Sequence, residues 1–180
     1  MLILHKILLK YFMQILKTKR LTLRTTSLND ANDLYTQIFS NPDVVKYTFG
    51  SELFNLKQTK EFIKNNCNFD SKLGLSTLIE NESSKIIGLA GVIECDYLDT
   101  TEYEFGFILG ENFWAKGYAT EIGQAQIDFI KDNIKAPRVL ALAHKNNLGS
   151  LNCIKKLGLT YLKTIPTDGR GDREVYAKEF

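Results

Sequence analysis

The chain has 180 residues, 44% of them hydrophobic and 24% charged, with 23 Lys and Arg set against 21 Asp and Glu for a net charge of +2. That length supports one good core and is short for two, and the interspersed charges leave no basic face of the kind nucleic acid demands. Cys67, Cys95 and Cys153 are too few and too widely spaced for a disulfide framework or a zinc site, and His5 and His144 lack partners at metal-ligand spacing. A single soluble domain in the reducing cytoplasm, without a metal, is expected.

Residues 1–16 stand apart. Their apolar run is broken by Lys6, Lys10 and Gln14, which with Lys17 form one polar stripe at helical spacing. The run is shorter than the ~20 residues of a membrane span and lacks the unbroken apolar stretch and cleavage site of a signal peptide. Two readings stay open: an extension upstream of the true start, or an amphipathic helix that packs on the domain, a partner or a membrane surface. Otherwise no membrane contact is expected.

Residues 20–24 alternate as a first strand, and Ser27 or Asn29 can cap a helix holding Ala31, Leu34, Ile38 and Phe39, which Asn41-Pro42 stops. A second helix is expected over 56–66 with Phe62 and Ile63 inward. Strands follow over 75–79 and 86–93 around the turn-rich 80–84, then a strand over 104–109, so an antiparallel meander is implied. In that last strand Phe105, Phe107 and Leu109 alternate with Glu104, Gly106 and Ile108, the period of a strand buried mainly on one face. From Tyr118 the period turns helical, with Tyr118, Ile122, Ala125, Phe129 and Ile130 on one stripe. Next come a strand over 139–143, a helix after Asn147, and closing strands over 161–165 and 174–177.

Residues 112–119, between the strand over 104–109 and its helix, are where an anion can sit, because the first N–H groups of a helix are unpaired and its dipole places positive charge there. Gly117 removes the side chain at the closest approach, Lys116 adds charge, and small Ala119 keeps the first turn open. The string Trp114-Ala-Lys-Gly117-Tyr-Ala119-Thr-Glu121 resembles the coenzyme A pyrophosphate loop of the GNAT superfamily, most closely the RimJ/RimL type that acetylates ribosomal-protein N-termini. A second window, Asn147-Leu-Gly-Ser150 through Gly158-Leu159, resembles the superfamily's next helix, with Leu159 in place of the usual Phe. Met13 to Arg24 is similar to the family's opening, K-T-x-R-L-x-L-R, which favours Met13 as the start. The resemblance covers 17–180 and implies a mixed α/β fold, with a central, mostly antiparallel, splayed sheet and helices on both faces. It also implies an acetyl-CoA-dependent N-acetyltransferase, monomeric or homodimeric.

By the same resemblance the acetyl-CoA site would be Phe107, Ile108 and Leu109 on the strand, Trp114, Ala115, Lys116, Gly117, Tyr118, Ala119 and Thr120 on the loop, and Asn147 and Ser150 on the later helix. Transfer of an acetyl group from a thioester needs a neutral amine, a stabilised oxyanion and a proton for the thiolate. A main-chain N–H near Ile108 would serve the oxyanion. Glu104 is the candidate base, against the plainer reading of a solvent-facing or Lys-paired carboxylate. Many superfamily members carry a tyrosine acid seven residues beyond the Asn; here Ile154 stands there and cannot donate. Ser150 is then the candidate acid, against an ordinary helix-start hydroxyl, as Asn147 is read against an ordinary cap. The two-helix region and residues 47–50 would wall the acceptor site. The acceptor is a protein α-amine or a small molecule such as a polyamine, antibiotic or amino acid; the alternative from another class is a module that holds acyl-CoA without turnover.

Overall fold

The computed structural model of the protein describes residues 12–50, 52–167 and 169–180. Its centre is an eight-stranded sheet: β1 (Gln14–Lys17), β2 (Leu21–Arg24), β3 (Ser76–Glu80), β4 (Ile86–Cys95), β5 (Glu102–Leu109), β6 (Arg138–Ala143), β7 (Thr160–Ile165) and β8 (Arg173–Glu179). The order is β1-β2-β3-β4-β5-β6-β8-β7, and every neighbouring pair is antiparallel except β5 with β6. This is the mixed α/β, mostly antiparallel sheet that the sequence implied.

Of residues 1–16, read as an upstream extension or an amphipathic helix, 1–11 lie outside the described residues, and from Gln14 the chain is strand: Gln14 pairs with Arg24 and Lys17 with Thr22. The apolar Ile15 and Leu16 pack against the buried Leu21, Leu23 and Ile122 group, so this edge is held by the core.

On one face lie three helices: α1 (Ala31–Leu34, opened by the 3₁₀ turn Leu28–Asp30 and prolonged by the π turn Tyr35–Phe39), α2 (Pro42–Val45) and α3 (Leu56–Asn66). Ser27 starts α1 through a capping box with Asp30, while Asn55 and Gln58 form the same device for α3, each satisfying donors that the helix leaves orphaned. Pro42 does end the first helix, but as the first residue of α2, where its missing N–H costs nothing; the sequence reading saw the stop and not the new start. Phe39, Phe49, Phe54 and Phe62 close this layer over Leu34, Ile38 and Ile63, with ring centroids 5.0 to 6.0 Å apart.

The opposite face carries α4 (Tyr118–Phe129, with a π turn Ile130–Ile134 after it) and α5 (Leu148–Lys156). Gly123 lets α4 lie directly on the sheet: a Cβ there would stand 2.7 Å from Leu157 and 3.2 Å from Phe105. Helices on both faces change the reading of β5. It is buried on two sides, with Phe105 and Leu109 facing α4 and Glu102 and Glu104 also buried on the reverse, because it is a central strand. Close packing on Phe105 fixes where the N-terminus of α4 points.

Candidate active site

Strands β5 and β6 run side by side in the same direction, yet the ladder between them is the single pair Glu104 with Leu140. Beyond it β5 continues to Leu109 and β6 to Ala143, and the sheet parts. A cleft of about 610 Å³ opens there, at the N-terminus of α4. Phe107, Ile108 and Leu109 form its strand wall; Trp114, Ala115, Gly117, Tyr118, Ala119 and Thr120 form its loop and helix wall; Asn147 and Ser150 line the side facing α5. The two windows of the sequence therefore meet at one cavity. Lys116 and Glu104 do not line it.

The loop is strained and clamped. Ala115 has φ of 57° and Gly117 φ of 80°, and a non-glycine residue held in the left-handed region costs about 1 kcal/mol or more, a cost that concentrates at functional sites. No side chain caps the first turn of α4, so its leading N–H groups are left for whatever occupies the cleft. Trp114 anchors one side by donating from Nε1 to the Leu109 carbonyl at 2.8 Å.

Arg20 anchors the other. Its Nη1 donates to the Lys116 carbonyl at 2.9 Å, its Nε meets Glu121 Oε2 at 2.6 Å, and its guanidinium lies 4.5 Å from the Tyr118 ring centre. Glu121 Oε1 accepts from Thr18 Oγ1 at 2.6 Å and from the Arg20 N–H at 2.9 Å. Burial works to raise the Glu121 carboxyl, but the bonds from Thr18 and Arg20 outweigh it and hold the group below the usual carboxylate range. Lys116 is thus held by its backbone, while its Nζ lies 5.4 Å from the Phe113 ring centre. Sequence reasoning placed Glu121 at the end of the loop string and Arg20 in a strand without connecting them; the link spans 101 positions and leaves no periodic trace.

Asn147 caps α5, its Oδ1 accepting the Ser150 N–H at 3.1 Å, so the plainer reading of Asn147 is present in the structure alongside its place on the cleft. The Ser150 hydroxyl makes no hydrogen bond among the described residues, which leaves it available to the cavity. Gly149, Asn152, Cys153 and Lys156 extend the same wall and were missed, although their spacing of three and four residues is the signal of one helical stripe. Ile154 is buried core. Asp43, Val44, Lys46, Tyr47 and Thr48, from α2 and the turn after it, close the far side; of these only Tyr47 and Thr48 were foreseen as wall residues.

Glu104 is neither solvent-facing nor paired with Lys. It is 8% exposed on the reverse face of the sheet, at the point where β5 and β6 separate, and its Oε2 has no partner among the described residues. Burial pushes its carboxyl up to about 7, against the opposing pull of Arg170 and a hydrogen bond from Tyr97. A carboxyl poised near neutral pH at the edge of a splayed strand is suited to take up and release a proton. Among the described residues no group of His, Cys, Asp and Glu is arranged to hold a metal ion, and no helix is long and apolar enough to cross a membrane.

The pattern of the acetyltransferase (GNAT) domain family matches residues 20–160. An uncharacterized N-acetyltransferase, p20 of Bacillus licheniformis, is 31% identical over 147 residues, covering 81% of this chain and 82% of its own. Among solved structures, a GNAT-family acetyltransferase from Bacillus anthracis shares the fold with a TM-score of 0.77 at 23% identity, over 93% of this chain and 98% of that one. RimL, a ribosomal L7/L12 α-N-protein acetyltransferase solved with coenzyme A, has a TM-score of 0.72 at 13% identity, over 93% of this chain and 98% of that one. The parted strands, the clamped glycine loop before α4 and the family pattern agree, and the chain belongs to the GNAT acetyltransferases.

Proposed function

We propose that the protein moves an acetyl group from acetyl-CoA to a primary amine. The observation that carries this is the coincidence of the parted β5–β6 edge with the uncapped N-terminus of α4 in one cleft, since a long thioester ligand needs both a backbone edge and an anion seat. The residues fit the group. Gly117, at a left-handed φ and exposed, leaves the loop N–H groups open to a diphosphate, with helix-dipole charge behind them. Phe107, Ile108 and Leu109 offer an apolar wall and backbone groups to the pantetheine arm, and a β5 N–H near Ile108 faces the developing oxyanion. Asn147 positions the arm from the α5 side. Glu104 accepts the amine proton, directly or through water, and Ser150 protonates the departing thiolate.

The kinship of the Trp114 to Glu121 string to the RimJ/RimL pattern and the likeness to RimL support a protein α-amine as acceptor. An α-amino group has a pKa of about 7.7–8.0, so it is partly neutral at pH 7 and makes a modest demand on a base of Glu104's character.

Binding is tested by thermal unfolding with and without CoA. A ligand bound by the folded state alone must raise the melting temperature by mass action. Gly117→Trp fills the diphosphate approach and is expected to abolish the shift in a protein that unfolds cooperatively like the wild type. An undiminished shift in that variant moves the ligand away from this loop.

A further inference from the structure

Behind Tyr47, a residue of the cleft wall, lies an arginine with no carboxylate partner among the described residues. Arg173 begins β8, is 4% exposed, and spends its hydrogen bonds on two neutral carbonyls, Nη1 to Asp172 at 3.2 Å and Nη2 to Tyr47 at 3.1 Å. A guanidinium has more donors than those two bonds use. Arg20, Arg24 and Arg138 each meet a carboxylate, whereas no carboxylate of the described residues lies within ion-pair distance of Arg173. A buried cation whose hydrogen bonds go only to neutral carbonyls keeps a charge that an anionic group would stabilise.

The surroundings deepen that imbalance. Burial, and then the charge of Arg170, hold the Arg173 guanidinium below the usual arginine value. Burial, followed by Arg173 and Lys145, likewise holds the His144 imidazole below its usual value, against the opposing pull of Glu174. The His144 ring stacks on Tyr47 at 5.1 Å, and Tyr47 lines the cleft, so this electropositive patch is continuous with the cavity wall.

Register places the patch relative to Glu104. Glu104 pairs with Leu140, Leu140 with Ala177, and Leu142 with Val175. Alternate residues share a face, so Arg173 and Glu104 project from the same side of the sheet, roughly 13 Å apart along the strand direction. The charge of Arg170 acts on both groups. Among the described residues, a buried acid with an unmet oxygen at one end and a guanidinium without a carboxylate at the other outline an acceptor of opposite polarity.

We propose that the acceptor is a primary amine bearing an anionic group, a carboxylate or phosphate, which Arg173 and Arg170 receive while the amine lies toward Glu104. The proposal rests on the acetyl-CoA reading of the cleft, and makes Arg173 a specificity-determining residue.

The test is calorimetric binding to the CoA-loaded full chain of amines matched in pairs that differ in the anion. The pairs are O-phosphoethanolamine with ethanolamine, alanine with alaninamide, and a Ser-Asp-Ala with a Ser-Asn-Ala peptide. In at least one pair the anionic member is expected to bind about tenfold or more tightly, the value of a charge-assisted contact. The pair that discriminates identifies the source of the anion. Arg173→Gln should bring that ratio to about one with CoA affinity unchanged, and Arg173→Lys should keep part of it. A purely structural tie to Tyr47 would instead weaken both members equally. Equal binding within every pair, a ratio that survives Arg173→Gln, or a parallel loss of both members overturns the proposal. A wild type that binds no CoA overturns the reading beneath it.

Discussion

Glu104 combines a buried position with a titration range near neutrality, and both have consequences that can be measured. Its carboxyl is raised from 4.5 to about 7 by burial, so between those values the folded protein holds a proton that the unfolded chain has lost. Stability from this group is complete below pH 4.5 and is lost as pH rises through about 7, a difference of about 3 kcal/mol at 1.36 kcal/mol per pH unit. Glu104→Gln is therefore expected to be more stable relative to wild type at pH 8 than at pH 5. In turnover the sign reverses, because the base must be ionised: wild type should lose rate as pH falls through about 7, and Glu104→Gln should run about 10²–10⁴-fold slower without that limb. Ser150→Ala, read in the same assay at saturating acetyl-CoA, should sit near the low end of that range, since a thiolate of pKa about 8.5 leaves tolerably unaided. Parallel stability profiles, an unchanged acidic limb, or full turnover in Ser150→Ala would remove these residues from their roles. The family resemblance put both residues near the opening; periodicity carried no sign that Glu104 is buried, because a charged residue between apolar neighbours reads as the outward face of a strand.

At the scale of elements, the loop before α4 depends on a turn that precedes it by about a hundred residues. Arg20 holds the Lys116 carbonyl while Glu121 holds Arg20 and Thr18, so the β1–β2 turn and the first turn of α4 set the loop together. Arg20→Ala releases the loop without touching β5 or α5. The Michaelis constant for acetyl-CoA is expected to rise about tenfold with turnover at saturation little changed, and Arg20→Lys, which keeps charge but loses the planar fork, should recover only part. A fall in turnover with an unchanged Michaelis constant would show that the clamp does something other than seat the cofactor. Elements with local signals were legible: helix 56–66 came from its inward Phe62 and Ile63, and the strand–loop–helix unit from its change of period. The π turns at Tyr35–Phe39 and Ile130–Ile134, and the edge strand Gln14–Lys17, were not. A π turn keeps helical spacing on either side of it, and an edge strand only four residues long carries too few alternations to read. Gln126 was also hidden: it is fully buried under β5, where Nε2 reaches the Gly106 carbonyl at 3.3 Å, so an amide serves the sheet from a helix face that periodicity assigns to apolar residues.

Across the whole molecule, the fold brings together two windows, 114–121 and 147–150, that the sequence places in order but cannot place in space. What joins them is topology: β5 and β6, the parallel neighbours of the sheet, share a single ladder pair and part beyond it, and α4 and α5 sit on the same face over the gap. Of the far wall of the cleft, Tyr47 and Thr48 were foreseen through the resemblance, whereas Asp43, Val44 and Lys46 were not, because they belong to the short helix that Pro42 begins and that the sequence reading missed. The measurement that tests the central claim most directly is release of free CoA thiol from acetyl-CoA by the full chain, with a panel of primary amines and a count of acetylated amine by mass. The account predicts thiol release that requires an amine and matches acetylated product one for one, lost in Gly117→Trp. Tight CoA binding with no amine-dependent thiol release across the panel would contradict it and leave a protein that holds the cofactor without using it.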